Sequence, residues 1–264
     1  MTELIPYISA PRRTFDIDLV ADFTCPWSWL GMAQVGRALG NLQGSIAPEV
    51  RWHPFRLRPA SAAVARADSQ SDLQSTAPPD GDRTSAPFRQ YLEQRLPNGI
   101  TVDFAERTLR EAGRELGLRF NFDQIETVPD TTEAHRLTFL AANEGLQAHV
   151  AAAIFRAYFE SGRDIGNKDV LSSIGADAGM SADTLRQFRE SNAGSEDLVK
   201  AEERLRGFGV RGVPNLLFNG RVFVPGAVDV NTYILALDQA LFPASEPGPA
   251  GESDAAQSAT RILH

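Results

Sequence analysis

The chain has 264 residues, of which 42% are hydrophobic and 23% are charged, so it can bury the core of one large globular domain or two small ones. A net charge of −8 and an isoelectric point near 5.1 argue against a nucleic-acid partner. No apolar run approaches the roughly 18 residues that a membrane span needs, and residues 1–13 lack the pattern of a signal peptide, so we expect no membrane partner.

The first predicted elements are a strand over Thr14–Phe23 and a helix that runs to Leu39. Cys25 stands between them, at the expected N-cap, and Pro26 stands where the first helical residue should be. A cysteine at this position faces unpaired backbone N–H groups and the positive end of the helix dipole, and both favour the thiolate. The sequence therefore predicts that Cys25 is a reactive nucleophile.

A second strand is predicted over Ala47–Leu57, followed by a segment over Ala60–Pro87 that is rich in Ala, Ser, Asp and Pro and reads as a mobile loop. Residues 88–206 then show the spacing of several consecutive helices. The apolar stripes and expected N-caps of this block are Val102, Ala105, Leu109, Ala112 and Leu116; Val150, Ile154 and Tyr158; and Asn167, Ser181 and Ser195.

The end of the chain returns to strands. Leu216–Phe218 and Val222–Val224 flank Asn219-Gly220, a dipeptide that strongly favours a hairpin turn. A closing helix is expected over Val230–Leu241 with Asp229 as its N-cap, and residues 243–264 read as a disordered tail.

Cys25 is the only cysteine, and a buried structural role is its plainest alternative. The position between a strand and a helix-starting proline favours the functional reading. Because the chain cannot form an internal disulfide and carries no export signal, we expect a cytoplasmic protein. None of the four histidines shares a metal-ligand spacing with another or with Cys25, so we predict no metal site.

Three features together resemble the DsbA superfamily of thioredoxin-fold oxidoreductases, and its FrnE-like branch in particular. They are the Cys25-Pro26-Trp27-Ser28 turn after the first strand, Gly212-Val213-Pro214 before the hairpin, and the helical block between them. Four further segments support the likeness in this order: Trp52–Leu57, Phe120–Asp123, Ala134–Leu137 and Gly162–Gly166.

The resemblance implies an α/β thioredoxin-like fold with an inserted helical domain. Residues 1–57 would form the first half of the thioredoxin-like domain and residues 207–242 the second half. Residues 58–206 would be the insertion, with the mobile loop at 60–87, and residues 243–264 the tail. The family also implies that Pro214 is cis, shapes the substrate groove and faces Cys25, and that the backbone of Val213 pairs with a bound peptide or glutathione.

This chain departs from the family at Ser28, where two-cysteine oxidoreductases carry their second cysteine. A mixed disulfide on Cys25 must then be released by an external thiol. The leading hypothesis is a monothiol oxidoreductase in which Pro26 fixes the turn and Ser28 donates a hydrogen bond to the sulfur. Its partners would be small thiols or disulfide-containing peptides and proteins, with glutathione as a cosubstrate. We expect no tightly bound cofactor, and the sequence leaves open whether the protein forms a homodimer.

Ser28 also matches the kappa-class glutathione transferases and 2-hydroxychromene-2-carboxylate isomerases, a related branch. The resemblance implies that Trp27, Val213, Asp229 and His135 contribute to the binding of substrate or glutathione; the alternative role of Asp229 is that of a helix N-cap alone. The second hypothesis is therefore a glutathione-dependent isomerase or transferase that acts on an aromatic small molecule. The third is a non-catalytic binding protein on a thioredoxin fold.

Overall fold

The computed structural model describes residues 13–41, 46–58 and 88–243. The predicted loop at 60–87 lies outside these residues, as does the predicted tail beyond residue 243. Seven α-helices and one short 3₁₀ helix (Phe122–Gln124) lie between the second and third strands of the described chain. The elements are β1 (Arg13–Ala21), α1 (Pro26–Leu39), β2 (Ile46–Pro54), α2 (Phe88–Glu93), α3 (Val102–Glu115), α4 (Thr132–Ala142), α5 (Gln147–Ser161), α6 (Lys168–Asp177), α7 (Ala182–Glu190), α8 (Ser195–Gly207), β3 (Asn215–Phe218), β4 (Val222–Pro225) and α9 (Val230–Leu241).

The described strands form one sheet in the order β2-β1-β3-β4. β1 pairs with β2 in parallel, whereas β3 pairs antiparallel with both β1 and β4. The hairpin between β3 and β4 is confirmed: both Asn219 and Gly220 have positive φ angles, as the predicted tight turn requires. The Asn219 side chain also accepts a hydrogen bond from the backbone N–H of Asp16, which fixes the turn against β1.

The two faces of the sheet bury different helices. Phe15, Ile17 and Leu19 of β1 are almost completely buried on one face. Aromatic contacts on that face join the sheet to its neighbours: the Trp52 ring packs against Phe155 of α5, and the Phe218 ring packs against Tyr233 of α9. On the opposite face Val20 packs in a small apolar cluster with Phe55 and with Leu205 of α8. The observed architecture is the expected thioredoxin-like α/β fold with an inserted helical region.

Some element ends differ from the sequence prediction. β1 ends at Ala21, two residues before the predicted end, because the backbone turns at Asp22, whose carbonyl accepts a hydrogen bond from the N–H of Cys25. The N-caps at Asn167 and Ser181 are confirmed by hydrogen bonds to first-turn N–H groups. The expectation for Ser195 is wrong: Ser195 is already helical, and Gly194, with a φ of 81°, occupies the N-cap. Within the described residues no helix is long and apolar enough to cross a membrane.

Helix α4 is anchored by an arginine that is fully buried. The Arg136 guanidinium donates to the backbone carbonyls of Ser191 (2.7 Å) and Ala193 (3.1 Å) in the segment between α7 and α8. It also pairs with Glu133 on its own helix and lies over the Phe188 ring. The backbone carbonyls that follow α7 are thus hydrogen-bonded to a buried donor. These bonds fix α4 against the segment between α7 and α8.

The replacement Arg136→Met should therefore destabilise the protein by about 3 kcal/mol, since it leaves Glu133 and several carbonyls without their buried donor. Urea unfolding would measure the loss. Arg186→Met is the matched control, because Arg186 makes an exposed ion pair with Asp183 and should change stability little. Equal losses in the two variants would contradict this account.

Candidate active site

Cys25 lies at the N-cap of α1, with extended backbone angles (φ −92°, ψ 110°) and Pro26 as the first helical residue. Its thiol donates to the backbone carbonyl of Val213 at a distance of 3.6 Å. The peptide bond between Val213 and Pro214 is cis. Two parts of the chain that are 188 residues apart therefore meet at the sulfur.

The sulfur is nearly enclosed, since Cys25 is only 4% exposed. Burial raises the pKa of the Cys25 thiol to about 11, and the negative charge of Asp22 adds to this effect. The side chain of Ser28 and the backbone N–H groups of Ser28 and Trp27 lower the pKa, but they do not outweigh burial. The shift in the pKa is therefore opposite to the one expected for a cysteine at a helix N-terminus. Burial destabilises the thiolate by more than the helix N-terminus stabilises it.

Ser28 is fully buried one helical turn from the sulfur. Its backbone N–H donates to the Cys25 carbonyl at 3.1 Å. While Cys25 is a thiol, the Ser28 hydroxyl has no hydrogen-bond partner of good geometry among the described residues. A buried donor without an acceptor is unfavourable, so this hydroxyl is available to a negative charge that forms on the sulfur.

A buried carboxylate, Asp22, supports the turn that carries Cys25. Its Oδ2 accepts from the backbone N–H of Leu57 (2.8 Å) and from the Thr24 hydroxyl (3.1 Å), and its main-chain carbonyl accepts from the N–H of Cys25 (3.1 Å). Burial by itself would raise the pKa of Asp22, but His135, Leu57 and Thr131 outweigh it and the pKa is lowered. Asp22 is therefore a charged group held by fixed donors.

His135 of α4 stands behind Asp22. Its Nδ1 accepts a hydrogen bond from the Trp52 indole N–H at 3.3 Å, and its Nε2 lies 3.6 Å from Asp22 Oδ1. The Trp52 donor assigns the lone pair of the neutral ring to Nδ1 and its proton to Nε2, on the side of the carboxylate. Phe23 stacks on Trp52 with ring centroids 4.8 Å apart and is itself fully buried.

A cleft of about 970 Å³ opens beside Cys25. One wall is the turn at residues 24–27, a second is residues 91–98 of α2 and the following segment, and a third is residues 211–213. The charged side chains among the described lining residues are those of Arg95 and Arg211. Arg95 lies over the Tyr91 ring at 3.9 Å and has no carboxylate partner among the described residues, so the cleft favours anions.

The residues predicted for the site are only partly brought together. Cys25, Pro26, Trp27 and Val213 line the cleft. Pro214 and Ser28 are buried beside it, and the Pro214 ring lies next to Gly31 of α1.

The remaining two predicted residues lie elsewhere. His135 is 1% exposed, faces Trp52 and Asp22, and is not among the residues that line the cleft. Asp229 is exposed and caps α9 through a hydrogen bond from the Thr232 N–H. It is likewise absent from the cleft lining.

Several residues of the site carried no clear sequence signal. Tyr91 and Arg95 follow a segment without periodicity, and Arg95 lies two residues beyond the end of α2. Arg56 is 8% exposed and pairs with Glu202 of α8 at 2.7 Å. Within the described residues no three His, Cys, Asp or Glu side chains are grouped as metal ligands.

The parallel β1–α1–β2 unit, the β3–β4 hairpin and the cysteine at the start of α1 define a protein of the thioredoxin-like class. The chain belongs to the family of DSBA-like thioredoxin domains, whose profile matches residues 16–238. The recognition of the DsbA superfamily from the sequence is thereby confirmed.

Similar proteins have little sequence in common with this one. The uncharacterized protein YwbO of Bacillus subtilis is 21% identical, over 85% of this chain and 96% of its own length. The crystal structure of a probable DsbA oxidoreductase from Streptomyces coelicolor has a TM-score of 0.69 and 21% identity, and covers 91% of this chain and 94% of its own. A 2-hydroxychromene-2-carboxylate isomerase has a TM-score of 0.57 and 14% identity, with coverages of 86% and 94%.

The alkylation rate of Cys25 should be slow at neutral pH and should rise with pH without a plateau up to at least pH 9, because burial raises the pKa of the thiol to about 11. Iodoacetamide labelling followed by mass spectrometry would measure it. The same single cysteine in urea is the matched control and should show an ordinary thiol pKa of roughly 8.5. A plateau below pH 8 in the folded protein would contradict the burial argument.

Proposed function

We propose that the protein is a monothiol thiol–disulfide oxidoreductase in which Cys25 is the nucleophile and glutathione, or another external thiol, resolves the mixed disulfide. The observation that carries this proposal is the position of the sulfur: it lies at a helix N-cap, against the Val213 carbonyl, at the edge of a cleft whose described charges are arginines. A reducing compartment such as the cytoplasm supplies the thiol that the chain lacks.

The reaction takes two exchanges. The Cys25 thiol loses its proton to solvent or substrate, and the thiolate attacks the glutathione sulfur of a mixed disulfide, R–S–S–G. The S–S bond breaks, R–S⁻ leaves and takes up a proton, and Cys25 is joined to the glutathione sulfur. A second glutathione thiolate attacks that sulfur, releases the Cys25 thiolate and yields oxidised glutathione. In sum, R–S–S–G and one reduced glutathione give R–SH and oxidised glutathione.

The raised pKa of the thiol slows attack less than the thiolate fraction suggests. Compared with a thiol of pKa 8.5, a pKa of about 11 reduces the thiolate fraction at neutral pH about 300-fold. Each thiolate is about tenfold more nucleophilic, because nucleophilicity rises with basicity, so the net loss is roughly 30-fold. A basic thiolate is also a poor leaving group. The Cys25 adduct should therefore persist, and the protein should act as a reductant more readily than as an oxidant.

The Val213 carbonyl has a second use in this scheme. It now accepts the Cys25 thiol proton at 3.6 Å, and this contact is lost when the thiolate or the mixed disulfide forms. The freed carbonyl can then accept a backbone N–H of the bound substrate, so the same group serves the resting thiol and the complex. The Ser28 hydroxyl can donate to the sulfur at the same stage.

Incubation with oxidised glutathione should add one glutathionyl group to the wild-type protein and none to Cys25→Ser. Intact-mass spectrometry would detect the adduct, and the rate of its formation should rise with pH. Reduced glutathione should remove it slowly, because the Cys25 thiolate leaves poorly. Ser28→Ala is the control that keeps the nucleophile; it should still form the adduct. Absence of an adduct in the wild type, even at pH 9, would refute the proposal.

Arg95 and Arg211 should select for anionic thiols. Glutathione carries two carboxylates and one ammonium, so its net charge is negative, and each arginine attracts it. We expect Arg95→Gln and Arg211→Gln each to slow adduct formation by oxidised glutathione several-fold, and to leave the reaction with neutral bis(2-hydroxyethyl) disulfide unchanged. Arg37→Gln, at the far end of α1, is the matched control and should alter neither rate. Equal effects on both disulfides would exclude charge selection.

The second candidate is a glutathione-dependent isomerase or transferase for an aromatic compound. The observation in its favour is that Cys25 rests as a neutral thiol beside the Ser28 hydroxyl, two groups that can hydrogen-bond to a glutathione sulfur without reacting with it. A related fold is found in a 2-hydroxychromene-2-carboxylate isomerase. Cys25→Ser separates the two candidates: it abolishes disulfide exchange, whereas a transferase or isomerase would retain part of its rate.

A further inference from the structure

Tyr91 of α2 connects the turn that carries Cys25 to one of the arginines of the cleft. The Tyr91 hydroxyl lies 3.1 Å from the hydroxyl of Thr24, the residue directly before Cys25. The guanidinium of Arg95 lies over the Tyr91 ring, 3.9 Å from the ring centroid, and donates to the Tyr91 main-chain carbonyl at 3.4 Å. One residue of the inserted region therefore contacts both the reactive turn and a charged group of the cleft.

The hydrogen bonds of the Tyr91 hydroxyl can run in only one direction. The Thr24 hydroxyl donates its single proton to the Asp22 carboxylate at 3.1 Å, so it must accept the proton of Tyr91. Burial and the nearby charge of Asp22 raise the pKa of Tyr91, so the phenol stays neutral. Because its proton is already donated to Thr24, Tyr91 is not placed to protonate a leaving thiolate.

The Tyr91 ring is a fixed support for the Arg95 guanidinium. Tyr91 is 3% exposed, and its ring packs against the buried ring of Phe88 with centroids 6.1 Å apart. Arg95 itself is exposed. A guanidinium that lies against a buried aromatic ring gains cation–π attraction and takes up fewer orientations than one that projects freely into solvent.

We propose that Tyr91 is a positioning residue that holds the Arg95 guanidinium at a fixed distance from the Cys25 sulfur. The cleft then selects disulfides by where their negative charge stands relative to the S–S bond, and not by the sign of the charge alone. This inference rests on the proposed disulfide exchange and deepens it by naming the substrate class: disulfides that carry an acidic group at one particular distance from the reacting sulfur.

Three symmetrical disulfides of different length test the proposal: those of mercaptoacetate, mercaptopropionate and mercaptobutyrate, with one, two and three methylene groups between sulfur and carboxylate. The Cys25 thiolate attacks one sulfur and keeps that half, while the other half leaves as a thiolate and takes up a proton. Intact-mass spectrometry gives the rate of adduct formation. Each rate is divided by that of the same disulfide with 2-mercaptoethanol, which removes differences in intrinsic reactivity. We expect the fastest of the three to exceed the slowest about fivefold or more.

Variants of the two residues separate position from charge. Tyr91→Leu removes the ring beneath Arg95 and should reduce the differences between the three disulfides to about twofold or less, whereas Tyr91→Phe keeps the ring and should retain them. Arg95→Lys places the positive charge on a flexible chain. It should lose the length preference and still react faster with these anions than with neutral bis(2-hydroxyethyl) disulfide. Both Tyr91 variants should react with the neutral disulfide as the wild type does.

Equal rates of the wild type with the three disulfides, or an unchanged preference in Tyr91→Leu and Arg95→Lys, would overturn this inference and leave the proposed exchange intact. An equal loss of rate with every disulfide in Tyr91→Phe would also overturn it, because Tyr91 would then act as a proton donor. Absence of any adduct in the wild type would refute the exchange and this inference together. Since Arg95 is exposed, Arg95→Lys decides the question if Tyr91→Leu does not fold.

Discussion

One buried carboxylate connects the parts of the molecule that form the candidate active site. Asp22 accepts hydrogen bonds from the turn that carries Cys25 and from the N–H of Leu57, three residues after β2, and it faces His135 on the inserted helix α4. A buried charge is stable only when donors surround it, so these segments cannot separate without exposing or stranding the carboxylate. The turn, the sheet and the inserted helices thus share a single electrostatic anchor.

The burial of this region also determines the reactivity of the Cys25 sulfur. A helix N-terminus stabilises a nearby anion by about 0.3–2 kcal/mol, whereas removing an ion from water costs several kcal/mol. Cys25 is only 4% exposed, so the cost of removing the thiolate from water exceeds the stabilisation by the helix N-terminus, and the pKa of the thiol rises. The position of a cysteine along the chain therefore does not decide its reactivity alone, because the walls supplied by Val213 and the segment around Tyr91 decide how much solvent reaches it.

Local signals in the sequence predicted the parts of the fold that local physics controls. Asn219 and Gly220 determine a turn through their own backbone preferences, and Cys25 stands at the helix start because Pro26 follows it. The surroundings of His135 could not be predicted from the sequence for the opposite reason, because its partners Trp52 and Asp22 come from distant segments of the chain. The cleft wall at residues 91–98 escaped prediction because it follows a long segment without periodicity, and only the folded structure brings it to the sulfur.

The cleft beside Cys25 is built from two independent parts of the chain. The sulfur and the proline segment at residues 211–213 belong to the thioredoxin-like unit, whereas residues 91–98 belong to the inserted helices. Substitutions in the inserted wall can change which molecules enter the cleft while the reacting atoms keep their arrangement. The chemistry at the sulfur and the choice of molecules that enter the cleft therefore depend on different segments of the chain, which can change independently of each other.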